Sequence, residues 1–109
     1  MHELGLAQEI LAHVAARAGR ARVGRVVVRV GKLAAVLPDA LQFAFQICRE
    51  GTAAENAVLE IVEVPGSARC RACSGAVALE RPYGRCSCGS SDLEWLSGEE
   101  LIIQSMEVT

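Results

Sequence analysis

The chain has 109 residues, enough for one domain or one domain with a small satellite. Its composition, 51% hydrophobic and 22% charged with a net charge of −2, excludes a disordered polypeptide and argues against a protein that grips nucleic acid by neutralising phosphates. Only four aromatic residues are present (Phe43, Phe45, Tyr83 and Trp95), so aliphatic side chains must fill the core.

The first ten residues read MHELGLAQEI. His2 stands beside Met1, so the α-amine, the His2 backbone nitrogen and the His2 imidazole can reach one ion and close fused chelate rings. Nitrogen-rich, near-planar ligation suits Ni(II) or Cu(II). Glu3 can add a donor through its backbone nitrogen or its carboxylate. On local grounds alone the signal is weak, and the default reading of the same residues is a solvated helix start.

Residues 3–18 are predicted helical: Leu4, Ala7, Leu11, Val14 and Ala18 recur at helical spacing, with Ile10 and Ala15 widening the stripe. Gly19 suits the position after a helix C-terminus, and His13, mid-helix, reads as a surface or partly buried histidine. Residues 22–31 alternate as a strand, Val26, Val28 and Val30 against Arg25, Val27 and Arg29. Pro38 fits the first turn of a second helix over 38–50, with Leu41, Ala44, Phe45 and Cys48 on one face. This places Cys48 in the core as a small hydrophobe. Residues 57–64 read as a second strand.

At Pro65–Gly66–Ser67, read as a turn or linker, the composition changes, and residues 68–95 hold four of the five cysteines. Residues 100–108, ELIIQSMEV, are strand-like again. An isolated strand is not stable, so this one is expected to return to the first sheet, making the cysteine segment an insertion. The fold expected is α+β: two helices on a small three-stranded sheet, with an inserted zinc-ribbon-like four-cysteine module. The domain limits are 1–66 with 98–109, discontinuous, and 67–97. No segment is apolar over the length of a membrane span and no signal peptide is recognisable, so a cytoplasmic protein is expected.

Cys70 and Cys73 form a C-x2-C pair, and Cys86 and Cys88 a C-x-C pair. In a reducing compartment two cysteine pairs on a short hairpin, reversed at Tyr83–Gly84, are the framework of a structural Zn(II)-thiolate site. A segment with so few apolar residues needs the metal's binding free energy to fold. Gly75 and Gly89 permit tight turns after each pair. The single spacer residue of the second pair tightens its chelate ring, and if Cys88 cannot reach the metal, the fourth ligand would be Asp92, Glu80 or water. Four thiolates leave no open position for catalysis, and Cys-Arg-Ala-Cys does not open a long helix as a redox dithiol would.

MHELGLAQEIL, VGRVVVRVGKL, LQFAFQICREGTAAENAVLEI, CRAC and CGSSDLEWLSGEELIIQSMEV, in that order, resemble the HypA/HybF nickel metallochaperones over essentially the whole chain. The resemblance implies a nickel site formed by Met1, His2 and Glu3, and structural zinc on Cys70, Cys73, Cys86 and Cys88. It implies delivery of Ni(II) to the [NiFe]-hydrogenase large-subunit precursor and, in some organisms, service to urease. It also implies a HypB-type GTPase as partner. The sequence departs from the family pattern at Cys86-Ser87-Cys88, where a C-x2-C pair is usual. A monomer or weak homodimer that is not an enzyme is expected, without membrane or nucleic-acid partners. The competing expectation is a zinc-ribbon protein- or nucleic-acid-interaction module, carried by Arg17, Arg20, Arg22, Arg25 and Arg29.

Overall fold

A computed structural model describes residues 2–109. Two helices, α1 (His2–Ala18) and α2 (Pro38–Cys48), are joined by six strands: β1 (Val23–Gly31), β2 (Val58–Val64), β3 (Gly66–Cys70), β4 (Ala76–Leu79), β5 (Leu93–Ser97) and β6 (Leu101–Val108). They form two three-stranded sheets, ordered β2-β1-β6 and β4-β3-β5. The chain packs as two compact units. One comprises residues up to Val28, Val36–Val62 and Ile102–Thr109; the other comprises Arg29–Ala35 and Glu63–Leu101.

In the helical unit, the predicted apolar stripes are the packed ones. Ala7, Ile10, Leu11 and Val14 of α1 and Leu41, Ala44 and Phe45 of α2 are all buried. Pro38 opens α2 after Leu37, an extended residue at the N-cap with no side-chain cap. Proline supplies no N–H, and none is needed at this position. Cys48 is only half-buried at the end of α2, not a core residue as its spacing suggested.

β1 is the central strand, which explains its valine run: Val26 and Val28 are fully buried, and Val27 on the opposite face is buried too. A strand covered on both faces loses its alternation. The C-terminal strand returns as expected. Thr109 N–H donates to Arg22 C=O at one end and Gly31 N–H to Glu100 C=O at the other, so β6 runs antiparallel to β1. Two arginines of this region are paired with acids. Arg22 meets Glu55 at 3.7 Å, and Arg25 joins Glu60 to Glu107, the latter at 3.7 Å.

In the cysteine unit, β3 pairs antiparallel with both β4 and β5. Three corrections to the expected pattern follow. The predicted linker at 65–67 lies largely in β3, which starts at Gly66. The reversal of the β3–β4 hairpin is the Cys70–Gly75 turn. Tyr83 and Gly84 instead sit in the connection from β4 to β5, which lie on opposite sides of β3. Leu33, Ala68 and Leu79 form a small buried core, with Val77 and Leu93 packed against it.

Candidate metal centre

Two turns bring the four sulfurs together. In the first, Ser74 N–H donates to Cys70 C=O (2.8 Å) and Cys70 N–H to Gly75 C=O (2.9 Å). In the second, Gly89 N–H donates to Cys86 C=O and Cys86 N–H to Ser90 C=O, both at 2.9 Å. The second turn is therefore one residue shorter, closing back from the third residue after its first cysteine rather than the fourth. The missing spacer of Cys86-Ser87-Cys88 is absorbed there, with Gly89 in the left-handed region at φ +97°. In the first turn Ser74, not Gly75, takes the left-handed conformation, at φ +64°. Gly75 matters for another reason: a Cβ there would crowd Cys73 Sγ at 3.2 Å.

The four Sγ atoms lie within 4.8 Å of one another. Cys70 and Cys88 approach to 3.7 Å, and Cys73 and Cys86 to 3.5 Å. Tetrahedral Zn(II) with Zn–S bonds of about 2.3 Å requires sulfur separations of about 3.8 Å. The donor set thus fits zinc in number, type and spacing, and Cys88 is within reach despite the short pair. The other candidate fourth ligands are occupied: Asp92 accepts from Arg71 at 3.0 Å and Glu80 pairs with Lys32 at 2.5 Å.

The thiols are prepared for deprotonation unevenly. Backbone N–H groups of Cys73 and Ala72, with the neighbouring thiols, bring Cys70 down to about 6. The Cys88 N–H and the Cys73 thiol lower Cys86. For Cys73, the Gly75 N–H pulls downward, but the thiols of Cys86, Cys88 and Cys70 together outweigh it and push Cys73 up to about 12. A bound cation removes that conflict by favouring every sulfur as thiolate. One cysteine of each pair, Cys70 and Cys86, is buried, while Cys73 and Cys88 are exposed.

Of the amino-terminal donors, Met1 lies outside the described residues. His2 and Glu3 open α1, His2 exposed and Glu3 half-buried. One partner was invisible to sequence reading: Leu37, far along the chain, donates its backbone N–H to Glu3 Oε2 at 3.0 Å. That bond, followed by Glu3's own N–H, holds the carboxyl below the usual carboxylate range. No periodicity or motif signals a pairing between residues 34 positions apart.

Comparison with known proteins agrees with this arrangement. Residues 1–108 match the family described as hydrogenase/urease nickel incorporation, metallochaperone, hypA. The chain is 53% identical over 108 residues to a hydrogenase maturation factor HypA of Trichormus variabilis, covering 99% of this chain and 96% of that one. It is 41% identical over 112 residues to hydrogenase maturation factor HypA 2 of Bradyrhizobium diazoefficiens, covering 99% of each. The solution structure of the Ni metallochaperone HypA from Helicobacter pylori superposes with a TM-score of 0.66 at 28% identity, covering 99% of this chain and 97% of that one.

Proposed function

The chain belongs to the HypA family of hydrogenase/urease nickel-incorporation metallochaperones, and from that premise we propose that it binds Ni(II) at its amino terminus and delivers it to the [NiFe]-hydrogenase large-subunit precursor. The observation that carries the reading is the full-length family match joined to a chain that begins Met-His-Glu. The nickel ligands are Met1, His2 and Glu3. The physics favours a site at the start of α1, because the first backbone N–H groups of a helix have no intrahelical partner. A metal can take those nitrogens without dismantling the helix, and an imidazole with main-chain nitrogens suits Ni(II). Nickel is cargo, so an exposed site at a helix end fits exchange better than storage.

Cys70, Cys73, Cys86 and Cys88 hold structural Zn(II) in this reading, supported by the sulfur separations. The zinc-binding module proper is 67–97, inserted in the discontinuous nickel-binding domain of 1–66 and 98–109. Transfer is ligand exchange, with no substrate bond made or broken, so the protein works as a carrier rather than an enzyme. The partners are a HypB-type GTPase and the hydrogenase precursor, met in the cytoplasm by a monomer or weak homodimer. Among the described residues no helix is long and apolar enough to cross a membrane. Two of the five arginines of the competing nucleic-acid reading, Arg22 and Arg25, are paired with acids.

The test is calorimetric Ni(II) titration of the wild type, His2→Ala, and a variant with one residue added before Met1. The added residue separates the amine from the imidazole while every side chain is retained. Both altered proteins should lose the site. Equal binding by all three overturns the proposal.

A further inference from the structure

Residues 31–37 precede α2, and each end of this segment makes main-chain hydrogen bonds. At the first end, Lys32 N–H donates to Val64 C=O (2.9 Å) and Leu33 N–H to Gly98 C=O (2.7 Å). The Leu33 side chain, 3% exposed, sits in the cluster with Ala68 and Leu79. Its socket is cut by two glycines. A Cβ on Gly66 would lie 2.7 Å from Leu33 Cγ, and one on Gly98 3.0 Å from it. Ala35 then turns the chain with φ +58°, a conformation an L-residue holds only where its surroundings impose it. At the second end Leu37 N–H meets Glu3 Oε2 at 3.0 Å, and Leu37 C=O accepts from Leu41 N–H, also at 3.0 Å. The Leu37 side chain is 67% exposed, so main-chain bonds rather than packing hold this residue.

We propose that the Glu3 carboxylate is a positioning group rather than a nickel ligand, and that Leu37, at the N-cap of α2, is the residue that holds it. This rests on the proposed amino-terminal nickel site and refines it: Glu3 serves that site through its main-chain nitrogen while its side chain ties down the first turn of α1. A first helical turn frays readily, and a fraying turn must be ordered each time the metal binds. The tie to Leu37 carries that cost in advance, which is how preorganisation raises affinity without a new ligand.

Three substitutions separate the roles. Glu3→Gln keeps an oxygen that can accept from Leu37, whereas Glu3→Ala removes it. Leu37→Pro removes the donor and replaces a side chain that is largely exposed, and the Leu37 φ of −86° lies near the range proline imposes. Each variant, with its zinc content measured first, is titrated with Ni(II) while the metal's visible absorption bands are recorded. Glu3→Ala and Leu37→Pro should weaken binding by roughly fivefold, the loss of one hydrogen bond. The double variant should be no weaker than either single one, because both remove the same contact. Glu3→Gln should bind close to wild type, and the absorption bands should be common to all. The proposal is overturned if Glu3→Gln is as weak as Glu3→Ala, if the bands shift on losing the carboxylate, or if Leu37→Pro binds as well as wild type. Glu3→Gln and Glu3→Ala decide the matter even if Leu37→Pro folds poorly. A parallel His2→Ala titration tells the two readings apart: unchanged nickel binding there sinks the amino-terminal site itself.

Discussion

Stripping the metal from the four-cysteine site should unfold the cysteine unit while the helical unit keeps its core. The magnitudes follow from what each unit buries. In the cysteine unit the apolar cluster is Leu33, Ala68 and Leu79, with Val77 and Leu93 only partly covered, and Val30, Cys70 and Cys86 are buried as well. Burial of a leucine side chain is worth about 1.5–3 kcal/mol, so the two buried leucines supply on the order of 3–6 kcal/mol. Structural zinc bound by thiolates contributes roughly 10–16 kcal/mol at neutral pH. The metal therefore outweighs the core that surrounds it, and losing it removes as much as a whole small domain usually has in reserve. The helical unit does not share this dependence: Phe45, Leu41, Val14, Val26 and Val28 are fully buried, and none of the four clustered sulfurs belongs to it. Hydrogen exchange followed by mass spectrometry, with and without a strong zinc chelator, reads the two units separately. Protection over β3–β5 should fall to that of an unfolded chain while α1 and α2 stay protected. Cys86→Ser should show the same pattern without chelator. Undiminished protection of β3–β5 in protein shown to be free of zinc would refute the reasoning.

Three further outcomes are expected. Phe45→Ala, at a side chain 1% exposed, should cost about 3–5 kcal/mol, measured by urea unfolding of the zinc-loaded protein. Gly75→Ala places a methyl 3.2 Å from Cys73 Sγ, so it should lower zinc affinity in competition with a colorimetric chelator while Gly89→Ala, with open space around its Cα, acts through backbone strain alone. Glu100 has its carboxyl lowered by the backbone N–H groups of Glu100 itself and Gly98, the latter bonding Oε1 at 2.6 Å. A lowered folded-state value gives stability that is present above the ordinary carboxylate range and lost as pH falls through the lowered value. Glu100→Gln should therefore melt below wild type at neutral pH, and the two melting temperatures should converge in strong acid.

The elements of the helical unit were legible because their signals are local. Helical periodicity over 3–18, alternation around Val26–Val30, Pro38 at a helix start and the strand-like 100–108 each declare themselves within a few residues. The cysteine unit was legible only as a ligand set. Its strands, GSARC, AVAL and LEWLS, are too short to show a pattern, and pairing with a common central strand defines them. This is why a linker was expected where β3 begins, and a hairpin reversal where a long connection runs.

The sequence by itself determined the ligand set of the cysteine unit: four thiols at spacings that metals recognise. Ligand spacing is a property of neighbouring residues, so it survives without a fold. Only the tertiary structure decided that Cys88 reaches the cluster despite its short pair, because the turn beyond it, and not the spacing, sets where the sulfur points. Only the tertiary structure joined Glu3 to Leu37. That bond depends on where two distant segments are brought by burial of the apolar faces of α1 and α2, and burial leaves no trace in the residues it happens to bring together.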